Sequence, residues 1–293
     1  MIVSKIHGGL GNQMFQYAAG RALSLARHEA LGLDTNEFEN YLLHQGFELD
    51  RVFGLNTLRL SGFQLNQSFG WRVLSTPQRL AARWPYFPLA DKRIIIEPHL
   101  DYWPGMLAVP SHAYLRGYWQ SERYFQMYED AIRSDFQFKK ALHGYALHWS
   151  ERMKAVPSVS VHFRRGDYVS NQTNLAYHGT CSLDYYQRAV TSIEAQVNRP
   201  EFFVFSDDLD WARKNFKLDH QVHFVDGNAG DASFLDMQLM SLCRHHIIAN
   251  SSFSWWAAWL NNRKDKLVMA PARWYVKWPT PVGLIPESWT TIH

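Results

Sequence analysis

Ser158 to Tyr168 reads S-V-S-V-H-F-R-R-G-D-Y. Val159, Val161 and Phe163 are apolar and alternate with Ser160, His162 and Arg164. That period of two predicts a strand with one face towards a core. His162 and Arg164 then share the other face, roughly 6.6–7 Å apart along the strand. Arg165 follows, Gly166 breaks the strand, and Asp167 occupies the turn that the glycine permits. Two arginines, a histidine and a carboxylate are thereby crowded at one strand end, and the carboxyl ends of strands are where open α/β sheets bind ligands. Adjacent guanidiniums repel unless an anion lies near them, and their planar forks suit phosphate. The plainer alternative is a surface Arg pair salt-bridged to Asp167. A buried strand leading straight into the pair weighs against it.

Outward from this stretch, the chain after Pro157 is regular. Strands are predicted at Val159–Phe163, Phe202–Ser206, Val222–Val225, His246–Ala249 and Leu267–Ala270. Helices are predicted between them at 183–197, 209–216, 232–243 and 253–261. Such alternation means a doubly wound parallel sheet. Trp274 to His293 has no clear period. Upstream, helices are expected from Ser121 to about Phe136, with Ser121 as cap, and over Ala141–Val156. A boundary near Pro157 divides the chain into residues 1–156 and 157–293. The segment from Gly32 to Ser121 is irregular and aromatic, with strands expected at Ile94–Ile96 and Tyr114–Trp119.

The chain opens with a strand, Ile2–Ile6, then His7-Gly8-Gly9-Leu10-Gly11-Asn12-Gln13 and a helix to about Arg27. Strand, glycine-rich turn and helix together present backbone N–H groups to an anion. The spacing is neither a P-loop nor the full dinucleotide fingerprint. Gly9 and Gly11 are candidate backbone contacts to substrate, and Asn12 is a candidate helix cap. The alternative is a tight turn where chain packs close to chain.

Three C-terminal strands finish in polar clusters: His162-Phe163-Arg164-Arg165-Gly166-Asp167, Phe205-Ser206-Asp207-Asp208, and Ala249-Asn250-Ser251-Ser252-Phe253-Ser254. Together they place cations, carboxylates and hydroxyls on one edge of one sheet. That edge suits a nucleoside diphosphate, with arginines and a helix N-terminus for the phosphates and a carboxylate for base or ribose donors. Asp207 and Asp208 are adjacent rather than spaced D-x-D and precede a helix, so one of them is expected to be an N-cap and no metal is expected. Trp255, Trp256 and Trp259 are expected in the core rather than as a sugar platform.

Composition limits the other classes. The chain has 293 residues, 46% hydrophobic and 19% charged, enough for one large or two ordinary domains. The net charge of +3 is too small, and the basic residues too dispersed, to indicate a nucleic-acid partner. Two cysteines, Cys181 and Cys243, imply no disulfide framework and fit a reducing compartment. Met1 leads straight into a strand, so no signal peptide is expected. No apolar run of about 18 residues exists to cross a membrane.

GGLGNQMFQYA at 8–18, GYWQSERYF at 117–125, HFRRGDY at 162–168, HGTCSLDYY at 178–186, FSDD at 205–208 and ANSSFSWWAAWL at 249–260 carry a family resemblance. In order and spacing they resemble the bacterial alpha-1,2-fucosyltransferases of glycosyltransferase family 11, over nearly the whole chain. HxRRGD alone would indicate only the wider fucosyltransferase clan; GGLGNQ with SSFSWW narrows it. The resemblance implies a GT-B-like α/β fold, two Rossmann-like domains facing a cleft, residues 1–156 forming the acceptor-side domain and 157–293 the GDP-fucose-binding domain, with the tail after about 274 packing back on the N-terminal one. It implies transfer of L-fucose, with inversion, from GDP-beta-L-fucose to the 2-hydroxyl of a galactose-terminated oligosaccharide or lipid-linked glycan, without metal or other cofactor. O-antigen or similar surface-glycan synthesis in the cytoplasm is implied, with peripheral contact at the inner membrane face allowed.

Residue by residue, Arg164 resembles the arginine on the donor beta-phosphate and Arg165 its support. Asp167 resembles a carboxylate that orients arginine. His162 and one of Asp207 and Asp208 resemble the guanine-binding pair. Ser251, Ser252 and Phe253 resemble the phosphate and ribose contacts, and Asn12 the N-terminal residue facing the donor. No catalytic base is singled out; Asp34, His178 and Glu122 are weaker candidates beside Asp167. The competing functions are a transferase for another GDP-sugar and a non-catalytic carbohydrate-binding protein. The second would have no need of paired arginines at a strand end.

Overall fold

A computed structural model describes residues 1–40, 45–70, 73, 91–166, 172–228 and 230–293. The chain is α/β and divides into two units, Met1–Lys139 with Val282–Leu284, and Lys140–Pro281 with Ile285–His293. The division falls ahead of the boundary expected near Pro157. The reason is the helix Gly144–Ala155, which packs on the helix Phe234–Leu242 and is tied to the next strand where Ser158 Oγ donates to Met153 O at 2.7 Å. Among the described residues no helix is long and apolar enough to cross a membrane.

In the first unit the described strands are β1 (Ile2–Lys5), β2 (Leu31–Asp34), β3 (Leu58–Arg59), β4 (Ile94–Ile96) and β5 (Tyr114–Arg116). They form one parallel sheet in the order β3-β2-β1-β5-β4. The helix Leu10–Arg27 lies on it through Met14, Phe15, Ala18, Ala19 and Ala22, all buried. It starts three residues earlier than the sequence predicts. Gly9, extended, is its N-cap, and Asn12 lies inside the first turn with its N–H on Gly9 O at 2.9 Å. Asn12 is therefore not the cap. β2 and β3 lie in the stretch expected to be irregular. The helix expected from Ser121 to Phe136 breaks into short 3-10 turns and a final helix Glu129–Asp135, with Ser121 Oγ capping Arg123 N.

In the second unit the strands are β6 (Ser158–Phe163), β7 (Glu201–Ser206), β8 (Val222–Phe224), β9 (His245–Ile247), β10 (Val268–Pro271) and β11 (Thr290–Ile292). They pair in parallel in the order β11-β10-β9-β6-β7-β8. β11 comes from the tail that shows no period in the sequence. The alternation expected in β6 is present, but both faces are covered, as parallel sheets require. Val159, Val161 and Phe163 join Tyr185, Tyr186, Ala189, Val190 and Ile193 of the helix Leu183–Glu194 in one core cluster. On the opposite face Ser158, Ser160 and His162 are buried as well. Ser160 Oγ bonds His246 Nδ1 at 2.8 Å, and His246 Nε2 meets Asn261 Nδ2 at 2.8 Å, so Ser160 and His246 are satisfied within this polar layer. Trp255, Trp256 and Trp259 of the helix Ser252–Leu260 are buried, as expected of core.

Candidate functional site

Strand order decides where the second unit can hold a ligand. β6, β7 and β8 step outward in one direction, and β9 then returns to the other flank of β6. The order reverses between β6 and β9, and such a reversal opens a crevice at the carboxyl ends of the two strands. The three polar clusters of the sequence follow β6, β7 and β9, which are adjacent strands. Sequence alone places them on one edge; the sheet makes them neighbours.

Arg164 leaves the end of β6 and sets its Nη1 3.0 Å from Asp207 Oδ2 at the end of β7. Asp207 Oδ1 accepts the Arg165 backbone N–H at 2.8 Å. A Cβ on Gly166 would stand 2.9 Å from Asp207 Oδ2, so glycine lets the carboxylate close over the turn. The Arg165 guanidinium lies flat on Trp211, 3.7 Å from the ring centroid, with Nε 3.5 Å from Asp208 Oδ2. Asp208 caps the helix Leu209–Asn215, its Oδ1 accepting Trp211 N–H at 3.2 Å. Each aspartate thus meets an arginine, and among the described residues no group of three His, Cys, Asp or Glu side chains is placed to hold a metal. Arg164 keeps 26% of its side chain exposed at the mouth.

His162 is 5% exposed, and its Nδ1 has no hydrogen-bond partner among the described residues. Its ring lies 5.9 Å from the ring of Phe253. Burial, reinforced by the Arg164 charge and opposed by Asp207, pushes its pKa down to about 4. The imidazole is therefore neutral at pH 7 and offers an uncommitted ring nitrogen at the crevice. Tyr186 fixes the strand from the other face, its hydroxyl donating to His162 O at 2.8 Å.

Beyond β9, Ser251 caps the helix Ser252–Leu260, its Oγ accepting Phe253 N–H at 3.3 Å. Asn250, 2% exposed, is a hub the sequence reading quoted without giving a role. Its Nδ2 donates to His178 O and Trp274 O, both at 3.0 Å, and its Oδ1 faces Cys181 Sγ at 3.4 Å. Asn250 therefore binds two flanking loops to the mouth of the crevice. Trp211, the seat of Arg165, was likewise not anticipated; an aromatic at the third helical position after an Asp cap was the available signal.

The structure pairs Arg164 with Asp207, Arg165 with Asp208 and His162 with Phe253 at neighbouring strand ends, with Ser251 and Ser252 following β9. Asp167 lies outside the described residues. Asn12, Gly9 and Gly11 belong to the first unit, where Asn12 Oδ1 accepts from Gln120 Nε2 at 2.8 Å. Asp34 is committed to its own unit: its Oδ2 accepts the Tyr114 hydroxyl and its Oδ1 the Asn36 amide, both at 2.6 Å.

A guanidinium, a neutral buried imidazole, an aromatic ring and a serine-capped helix N-terminus together can bind a phosphate ester next to a planar base. Comparison with known proteins gives this chemistry a context. The sequence model described as Glycosyl transferase family 11 matches residues 101–277. An "Alpha-1,2-colitosyltransferase" of Escherichia coli is 37% identical over 100% of this chain and 99% of its own length. The "O-antigen biosynthesis glycosyltransferase WbnK" of Escherichia coli is 32% identical over 93% and 94%. Among solved structures, a crystal structure of NodZ alpha-1,6-fucosyltransferase soaked with GDP-fucose covers 88% of this chain and 91% of its own, at 14% identity and a TM-score of 0.49.

Proposed function

The chain belongs to glycosyltransferase family 11, and from that premise we propose that it moves a 6-deoxy-L-sugar from a GDP-linked donor to the 2-hydroxyl of a galactose-terminated glycan, with inversion and without metal. GDP-beta-L-fucose is the first donor to test, and synthesis of an O-antigen or similar surface glycan is the setting. The observation that carries this is the crevice between β6 and β9, where a neutral, unpartnered His162 Nδ1 adjoins the Arg164–Asp207 pair. In it Arg164 meets the beta-phosphate, with Arg165 in support; Asp167, which the motif alone assigns to orienting arginine, lies outside the described residues. His162 and an aspartate of Asp207-Asp208 meet guanine, while Ser251, Ser252 and Phe253 line the phosphate and ribose.

Breaking the anomeric C–O bond leaves extra negative charge on the beta-phosphate. A fixed guanidinium there binds the transition state more strongly than the ground state, which lowers the barrier. Direct displacement on a beta-linked donor yields the alpha product. A loose transition state asks little of a base, in keeping with a sequence that singles out no carboxylate or histidine for that task.

The 37% identity to an alpha-1,2-colitosyltransferase favours a second donor, GDP-linked colitose, which is fucose without its 3-hydroxyl. A pocket that hydrogen-bonds that hydroxyl rejects the deoxy sugar strongly, whereas a pocket that is apolar there discriminates weakly. Incubation with GDP-fucose, GDP-colitose and GDP-mannose against a panel of galactosides, with product linkage read by NMR, tests the proposal. It predicts an alpha-1,2 product from one of the two deoxy donors. Transfer from GDP-mannose alone, or galactoside binding that needs no GDP-sugar and yields no product, would overturn it.

A further inference from the structure

Arg164 and Arg165 are adjacent cations, yet the structure gives them different surroundings. The Asp207 carboxylate serves both residues. Its Oδ2 meets the Arg164 guanidinium at 3.0 Å, and its Oδ1 accepts the Arg165 backbone N–H at 2.8 Å. Each oxygen of Asp207 is thereby engaged, and the Arg165 side chain turns instead to the helix Leu209–Asn215.

That helix receives the guanidinium on two groups. The Trp211 ring lies under it, 3.7 Å from centroid to Cζ, and Asp208 Oδ2 stands 3.5 Å from its Nε. The two groups are joined to each other, because Asp208 Oδ1 accepts the Trp211 N–H at 3.2 Å as the cap of the helix. Asp208 is set in turn by Ser206, whose Oγ accepts its N–H at 2.9 Å. The Trp211 ring also meets that of Phe163, the last residue of β6, edge-on at 5.8 Å, and packs against the core of the second unit. Helix cap and core therefore fix the seat independently of the guanidinium it holds. Arg165 is left 19% exposed, against 26% for Arg164.

A guanidinium stacks flat on an indole face and is attracted to it. Here the stacking has a second effect: it takes Arg165 out of competition for Asp207. Without the ring, two guanidiniums would share one carboxylate, and Arg164 would lose the geometry in which Asp207 holds it. Both cations would still stand near a bound diphosphate, so ground-state binding would survive. The fixed placement that favours the transition state over the ground state would not.

We propose that Trp211 is a positioning residue for sugar transfer: by seating Arg165 it reserves Asp207 for Arg164, and so fixes the guanidinium that meets the beta-phosphate. The proposal rests on the glycosyl-transfer function above and adds to it a residue that acts through Arg165. Its test is a double-mutant cycle on the full-length enzyme, with whichever deoxy donor and galactoside give the fastest transfer. The four proteins are wild type, Trp211→Leu, Arg165→Met and the double variant. Trp211→Leu should lower kcat about tenfold and leave the donor KM within about threefold of wild type, as when an interaction made in the transition state is lost. Added to Arg165→Met, the same substitution should change kcat by less than about twofold, because the residue it acts through is gone. A packing role alone would lower the melting temperature in both backgrounds and leave no such difference in kcat. Trp211→Phe keeps an aromatic face and should lose only about threefold in kcat. Should Trp211→Leu fail to fold, Trp211→Phe decides by the same comparison, its loss confined to proteins that keep Arg165. An equal fall in kcat with and without Arg165→Met, or no fall in a folded Trp211→Leu, overturns the proposal. So does loss of all turnover in Arg165→Met alone, which would make Arg165 itself a phosphate ligand. A wild type that neither binds GDP nor transfers sugar refutes the underlying function instead.

Discussion

Arg164 and Asp207 face each other at 3.0 Å across the ends of β6 and β7, while Arg165 is laid flat on Trp211. One arginine is thus held at the mouth of the crevice by the Asp207 carboxylate, and the other is packed on an indole ring. The two guanidiniums, adjacent in sequence, should respond differently to substitution.

Arg164→Lys is expected to be nearly as damaging as Arg164→Ala, because lysine keeps the charge and loses the planar fork. The loss should be on the order of 3–4 kcal/mol of transition-state stabilisation, or 10²–10³ in kcat, by analogy with deleting one oxyanion donor. Arg165→Lys should be milder. Steady-state kinetics beside thermal unfolding check this: Arg164→Lys that keeps most of its turnover would return the pair to a structural role.

His162→Phe separates ligand binding from packing. The wild-type ring nitrogen Nδ1 is buried without a partner among the described residues, so an apolar ring of similar size should leave the melting temperature equal or higher. GDP affinity should fall by about tenfold, the equivalent of roughly 1.4 kcal/mol. Equal GDP affinity in the two proteins, measured by calorimetry, would remove His162 from the site.

Asp208 caps a helix, so Asp208→Ala should cost about 1 kcal/mol of stability, whereas Asp208→Asn retains the capping oxygen and should cost little. If guanine is read at Asp208, the asparagine variant should fold normally and still lose preference for GDP over ADP. If both variants keep that preference, Asp207 is the guanine-reading residue. Asp207→Ala should then raise the donor KM strongly.

Asp236 and Glu97 give stability a definite pH dependence. Burial raises both to about 7, above the ordinary carboxylate range they take in the unfolded chain. At these two groups the folded protein holds protons that the unfolded chain has released, so their contribution to stability is full below about pH 4 and is lost as pH rises through 7. Asp236→Asn keeps an oxygen for the Asn228 amide, which donates to Asp236 Oδ1 at 2.7 Å. Its melting temperature should match wild type near pH 4 and exceed it at pH 8. A gap that stays constant with pH would contradict this.

Much of the second unit is legible in its residues, because six-residue strands such as β6 and β7 carry enough apolar alternation to announce themselves. β2, β3 and β11 lack the apolar run that marks equally short strands such as β4: β2 is L-G-L-D, β3 is L-R with both residues exposed, and β11 is T-T-I. The three polar clusters are visible, but their adjacency comes from the strand order, which depends on how helices cross the sheet and not on local pattern. The cap at Gly9 escapes because an extended glycine caps without a side chain. Asn250 escapes because its partners include carbonyls and a thiol distant in sequence. Glu97 escapes because nothing local marks a carboxylate whose partners are the N–H groups of a turn twenty-one residues away.

The central claim is that the crevice between β6 and β9 binds the GDP of the donor through Arg164 without metal. Calorimetric titration of GDP into wild type and Arg164→Ala, each with and without EDTA, tests it most directly. The account predicts micromolar binding to the wild type that EDTA does not change, weakened at least tenfold in the variant. Binding that EDTA abolishes and Mn restores, or equal affinity in the two proteins, would contradict it.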